Sequence, residues 1–140
     1  MGYLIQPGSD LIKTSVIIPE ADVLQLHVTP YNLIPLVNFN QFVLLKNAYL
    51  RAADNQIQNY SGFQHIYLQD DSPAVISFYQ EQSPIAPIYL FYFNIGASHP
   101  PSRFGSQIKT GYGVNLSFSN APIQGDGDII VYLEYNILTV

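Results

Sequence analysis

Ten prolines and nine glycines are spread along 140 residues, leaving between them only short runs of aliphatic, β-branched and aromatic side chains. A helix needs a stretch in which apolar residues recur at i, i+3, i+4 and i+7, and no segment here sustains that spacing over a length free of proline or of strand-favouring residues. Strands need only five or six residues and tolerate punctuation at their ends. The chain is therefore expected to be all-β. Predicted strands cover Leu11 to Ile18, Val23 to Val28, Leu33 to Val37, Phe42 to Arg51, Gly62 to Gln69, Ala74 to Tyr79, Ile88 to Asn94, Tyr112 to Ser119 and Asp128 to Leu138. Eight or nine strands fill one antiparallel β-sandwich, and a jelly-roll-like arrangement is expected. Helix is limited to short turns; "NAYLRAADNQIQ" and "SPAVISFYQEQ", with Ser72 as a cap, are the two places that could close one.

Two strands carry the most information. In "VNLSFSN", Val114, Leu116 and Phe118 share one face while Asn115, Ser117 and Ser119 share the other, the alternation of a half-solvated strand. In the last strand Ile129, Val131, Leu133, Tyr135 and Ile137 make one face, yet Ile130, Tyr132 and Leu138 leave the second largely apolar too, interrupted by Glu134 and Asn136. That second face is expected to meet a neighbouring element or subunit.

The domain reading is a single unit over residues 1–140, with residues 1–10 as an extended arm and 94–113 as a long loop. Loops beyond about 12 to 15 residues usually serve a function or lack order, and this one holds His99, Arg103, Phe104, Lys109 and Tyr112. The first ten residues have neither a basic start nor a long apolar run, so secretory export is not expected. "IAPIYLFYF", the longest apolar run, is too short to span a bilayer as a helix and contains Pro87, so membrane insertion is not expected either.

Charge narrows the partners. Five basic residues against ten acidic give a net charge of −5, and the bases are scattered. A grip on nucleic acid requires several cations aligned on one face, so nucleic-acid binding is not expected. Charged residues make up 11% of the chain, under half of the roughly 25% usual in soluble domains. A surface so poor in charge suits a subunit covered by its neighbours. The contact candidates are Tyr132, Glu134 and Asn136 on the terminal strand and Phe104 and Tyr112 in the long loop.

Chemistry finds little to stand on. With no cysteine there is no disulfide, thiolate site or cysteine nucleophile. No G-x-S-x-G elbow is present. His27, His65 and His99 lie too far apart in sequence for a zinc-ligand pair on one element. Acids occur together as Glu20 with Asp22, Asp70 with Asp71, and Asp126 with Asp128. The last pair, in "GDGD", is the one metal candidate; it reads better as a turn, because Gly and Asp tolerate positive φ and Asp can bond nearby backbone, while the other oxygens of a calcium loop are missing. No catalytic residue and no cofactor is assigned. Eleven tyrosines with Asn and Gln also suit sugar stacking, so a carbohydrate-binding, receptor-recognition module is the alternative, with Tyr60 and Tyr112 as its aromatic contacts.

Two stretches carry a resemblance. "VIIPEADVLQLHVTPYNLIP", Val16 to Pro35, resembles the opening of small structural proteins of tailed bacteriophages, in which "I-P-x-A-x-V-L-x-L" precedes "T-P-x-x-L-x-P". "SNAPIQGDGDIIVYLEYNIL", Ser119 to Leu138, is similar to their ending, where a "G-D-G" turn introduces a "V-x-V-x-Y" strand. Ile18, Pro19, Ala21, Val23, Leu24, Leu26, Thr29, Pro30, Leu33 and Pro35 match at the start, and Gly125, Asp126, Gly127 and Tyr135 at the end. The middle departs, since "NFNQFVLLKNAYLRAADNQ" lacks the Gly/Ala-rich loop of such proteins. The resemblance implies a non-enzymatic jelly-roll or sandwich subunit of the virion, a capsid-decoration or head/tail accessory protein assembled in the bacterial cytoplasm. Its expected partners are its own copies, with a trimer as the first expectation, other virion proteins and, under the alternative, a host-surface glycan.

Overall fold

A computed structural model describes residues 11–93, 95 and 110–139. Among the described residues eight strands form two four-stranded antiparallel sheets: β1 (Ile12–Ile18), β8 (Ile129–Thr139), β3 (Gln41–Ala52) and β6 (Phe91–Tyr92) in one, and β2 (Tyr31–Ile34), β7 (Val114–Phe118), β4 (His65–Gln69) and β5 (Val75–Gln80) in the other. The strand orders, 1-8-3-6 and 2-7-4-5, have a simple origin. Strand 1 pairs with 8, 2 with 7, 3 with 6 and 4 with 5, as in one long antiparallel ribbon, and the ribbon is rolled until β8 meets β3 and β7 meets β4. This is jelly-roll order.

The roll closes because both sheets have one apolar face. Ile18, Ala48, Leu50, Ala52, Ile129, Val131 and Leu133 from the first sheet, and Leu33, Ile34, Ile66, Leu68, Val114, Leu116 and Phe118 from the second, are buried in a single cluster. Phe63 stacks on Phe118 within it, ring centroids 5.1 Å apart.

The central pairing of β3 with β8 contains an irregularity that the core requires. Ala48, Leu50 and Ala52 point inward, so strict alternation would also send Lys46 inward and Leu45 out. Instead the register shifts between Leu45 and Asn47: Leu45 lies opposite Tyr135, and Asn47 opposite Glu134. Lys46 is the extra residue of a β-bulge. It stays exposed, while Leu45 is buried in the core and Val43 packs against it.

Several expectations shift. The strand predicted over Val23 to Val28 is absent; a helical turn, α1 (Glu20–Val23), stands there and runs on into turns. Pro19 is extended and its carbonyl accepts from the backbone N–H of Asp22 and Val23, with the acids Glu20 and Asp22 in the first turn. Proline and acids suit a helix start. Val23 and Leu26, three apart, both reach the core, a helical spacing that resembles alternation over so short a run. The β2 strand begins earlier than predicted, at Tyr31. The strand from Gly62 begins only at His65, because Gly62 and Gln64 both have positive φ. The Ile88 to Asn94 strand shrinks to two paired residues. "NAYLRA" is strand rather than helix, and Ser72 sits in an Asp70-centred turn, its backbone N–H donating to Asp70 Oδ1 at 2.7 Å, rather than capping a helix. The proposed arm of residues 1–10 and most of the 94–113 loop lie outside the described residues.

Leu50→Ala, which empties a fully buried site, is expected to cost roughly 2 to 5 kcal/mol in urea unfolding. Deletion of Lys46 removes only the extra residue and leaves Leu45 opposite Tyr135 and Asn47 opposite Glu134 in unbroken alternation, so it is expected to cost less than Leu50→Ala in the same assay; a loss as large as that of Leu50→Ala would contradict the assignment of Lys46 as the bulged residue.

Candidate functional site

The "GDGD" turn sits at one end of the sandwich and its carboxylates are already engaged. Asp126 Oδ1 accepts the backbone N–H groups of Ile57 (2.7 Å) and Gln58 (2.9 Å), and Asp128 Oδ1 accepts that of Glu20 (2.9 Å). Glu20 Oε1 in turn accepts from the Gly127 N–H at 2.7 Å. Behind the turn the fully buried Tyr60 donates its hydroxyl to the Gly127 carbonyl at 2.6 Å. A side chain at Gly125 would run into the Tyr60 ring, and its φ of 135° is itself one that side chains rarely adopt. The two aspartates thus tie the 53–61 loop and the start of α1 to the foot of β8. Among the described residues no group of three or more His, Asp or Glu side chains converges as a metal site. Tyr60, fully buried, has no exposed ring for a sugar, which corrects that expectation.

The outward face of the β1–β8–β3–β6 sheet is different in character. Cross-strand register places Ser15 opposite Tyr132, Tyr132 opposite Tyr49 and Tyr49 opposite Tyr92, so three tyrosines lie side by side across β8, β3 and β6. The rings of Tyr49 and Tyr92 meet edge to face at 6.4 Å. A hollow of about 310 Å³ opens beside them, lined by Asn47, Ala48, Tyr49, Tyr92 and Phe93. On one flank Arg51 Nε donates to the Tyr132 hydroxyl at 3.2 Å; this bond and the neighbouring Asp54 carboxylate push the guanidinium pKa upward against the opposing effect of partial burial. On the other, Glu134 accepts from Asn47 Nδ2 at 2.5 Å and pairs with Lys13 Nζ at 3.7 Å. Arg51 with Tyr132, and Asn47 and Lys13 with Glu134, therefore bond one another within this face. What remains for a partner is aromatic and aliphatic surface: Tyr92 is 66% exposed and Ile17, beside Ile130, 57%.

Of the residues singled out in the sequence, Tyr132, Glu134 and Asn136 share this face. Asn136 lies opposite Leu44, further along β8. Tyr112 does not join them. It stands half-buried at the end of the sandwich between Gly111, whose N–H donates to the Gln41 carbonyl, and Gly113, whose N–H donates to Asp71 Oδ2 at 2.7 Å. Phe104 and His99 lie outside the described residues. His27 is exposed in the turn after α1, and His65 stands at the start of β4 on the second sheet's outer face. Sequence reasoning missed Tyr49, Tyr92, Asn47, Arg51 and Lys13. The alternation Asn47, Tyr49, Arg51 against Ala48, Leu50, Ala52 was a usable signal for three of them; Lys13 and Tyr92 join only through register.

In comparisons with known proteins, no family model, no curated protein and no solved structure matches this chain.

Removing the acceptor with Asp126→Ala strands two backbone donors and is expected to destabilise the fold by about 1 to 3 kcal/mol. Calcium is expected to leave the thermal midpoint unmoved, whereas an ion at 100 times its Kd would add about 2.7 kcal/mol.

Burial, reinforced by the Glu20, Asp126 and Asp128 carboxylates, pushes the Tyr60 phenol well above its ordinary value of 10.0. The folded state keeps this proton to higher pH than the unfolded chain does. The stability it contributes is therefore full below about pH 10 and is lost as pH climbs above it. Tyr60→Phe should lower the urea midpoint near neutrality and flatten its fall above about pH 10 relative to wild type.

Proposed function

We propose that this protein is a non-enzymatic structural component of a bacteriophage virion, an oligomeric capsid-decoration or head/tail accessory protein that works through protein–protein contacts. The observation that carries the reading is the outward face of the β1–β8–β3–β6 sheet. Its tyrosine row and the exposed Ile17 have the composition of interface cores, which are rich in Tyr and poor in unpaired charge. Its ion pair and hydrogen bonds are satisfied within the chain, so covering the face desolvates few groups that need new partners. The jelly-roll order adds support, because that architecture recurs in viral capsid proteins, though it serves lectins and enzymes as well. The resemblance of the opening and closing stretches to phage structural proteins supplies the virion context.

Self-association is the simplest form of this contact, with a trimer as the first expectation. Light scattering after size exclusion at micromolar concentration should give a multiple of the 15.7 kDa chain mass. Tyr92→Glu combined with Ile17→Glu places uncompensated carboxylates on the face and is expected to return the protein to one chain with an unchanged circular dichroism spectrum. A wild-type protein that stays a clean monomer and also fails to sediment with phage capsids would overturn the proposal.

A further inference from the structure

The second sheet carries a surface of another kind. On its outer side His65 and Tyr67 alternate with the buried Ile66 and Leu68, and Phe78 of β5 lies opposite Tyr67. The three rings form a ledge: His65 and Tyr67 stack with their planes nearly parallel, 10° apart with centroids at 5.8 Å, and Phe78 closes on them at 5.9 and 6.5 Å. Phe78 is 48% exposed. Beside His65 a groove of about 400 Å³ runs along Gln64, Gln80, Glu81, Gln82, Ser83 and Pro84.

The groove's shape is fixed and its side-chain amides are unused. Glu81 accepts the N–H groups of Gly62 and Gln64 with its two oxygens, both at 2.9 Å, and its own N–H donates to the Gln64 carbonyl at 2.7 Å. This clamp holds Gln64 at a φ of 67°, a conformation that costs a non-glycine residue free energy and that clusters at functional sites. The side chains of Gln64, Gln80 and Gln82 make no hydrogen bond with the described residues. Among the described residues no lysine or arginine lines the groove, and the one carboxylate there is occupied by backbone donors.

We propose that this groove and its aromatic ledge bind a neutral saccharide. An amide offers a donor and an acceptor on one planar group, matching the adjacent hydroxyls of a sugar. The electron-rich face of a ring accepts the apolar C–H side of a pyranose. A described lining without cations disfavours phosphate or other anions, and the engaged Glu81 disfavours a cationic ligand. The volume, at the low end for small-molecule pockets, admits a short saccharide. The site lies on the sheet opposite the tyrosine row, so it stands independently of the assembly reading.

The test is a ¹H–¹⁵N NMR titration of the full chain with the methyl glycosides of glucose, galactose, mannose and N-acetylglucosamine to about 20 mM, enough to reveal millimolar binding. At least one sugar should shift signals clustered on His65, Gln80 and Gln82. Phe78→Ala and Gln80→Ala, both at exposed positions, should each weaken that binding about tenfold while the spectrum keeps its dispersion. Silence across all four sugars in a folded sample, shifts clustered elsewhere, shifts that survive both substitutions, or a response to inorganic phosphate in place of sugar would each overturn it.

Discussion

The pairing of β3 with β8 decides which side chains this protein hides and which it shows. These are the two longest strands, and they occupy the centre of their sheet. Side chains alternate strictly along a strand, so a slip of one residue would exchange the Ala48, Leu50, Val131 and Leu133 face for the Tyr49 and Tyr132 face. The bulge at Lys46 is what lets one continuous strand satisfy two opposite phases, keeping Leu45 and Val43 inside while the ammonium stays in water. Without it the strand would either bury a charge without a partner or expose its aliphatic start.

From that register the outward face follows with no further instruction. The same alternation that buries Leu50 and Val131 projects Tyr49 and Tyr132, and the short edge strand β6 adds Tyr92 in line. The two ion pairs found among the described residues, Lys13 with Glu134 and Arg51 with Asp54, lie on exposed ground and contribute little to stability. Stability rests instead on the apolar layer between the sheets and on backbone-capping carboxylates at Asp126, Asp128, Glu81 and Asp71. Acidic residues in this chain act mainly as acceptors for loop N–H groups. That accounts for a composition in which carboxylates are few, outnumber bases and gather at glycine-containing turns.

The sequence made the architecture readable wherever alternation was unbroken. β7 was legible because its apolar and polar residues alternate, and β8 because one apolar phase runs unbroken from Ile129 to Ile137; antiparallel layers follow from them. β3 was placed but not understood, since the phase break at Lys46 makes "LLKNAYLRAAD" fit neither template cleanly. The α1 turn was misread because four residues cannot distinguish a period of two from one of 3.6, although Pro19 followed by acids was an available helix-start signal. Three residues of the candidate face, Tyr132, Glu134 and Asn136, were visible in β8 alone. The remainder depends on which strand lies beside β8, and one strand's pattern does not contain the register of its neighbour.

Tyrosine illustrates why composition alone underdetermines function here. Tyr60 is a structural post, buried with its hydroxyl on the Gly127 carbonyl; Tyr132 is tethered by Arg51 and packed in a row; Tyr67 is part of a ring ledge on the other sheet. One residue type serves three purposes because it joins a large apolar body to a polar tip, and burial decides which part is used. Two stacked sheets lie about 10 Å apart with their outer faces directed oppositely. A partner spread over one outer face therefore leaves the other open. In this fold, covering the tyrosine row with sister subunits and leaving the β4–β5 ledge turned to solvent are compatible by geometry, so a subunit held in an assembly keeps a second surface with which to meet something else.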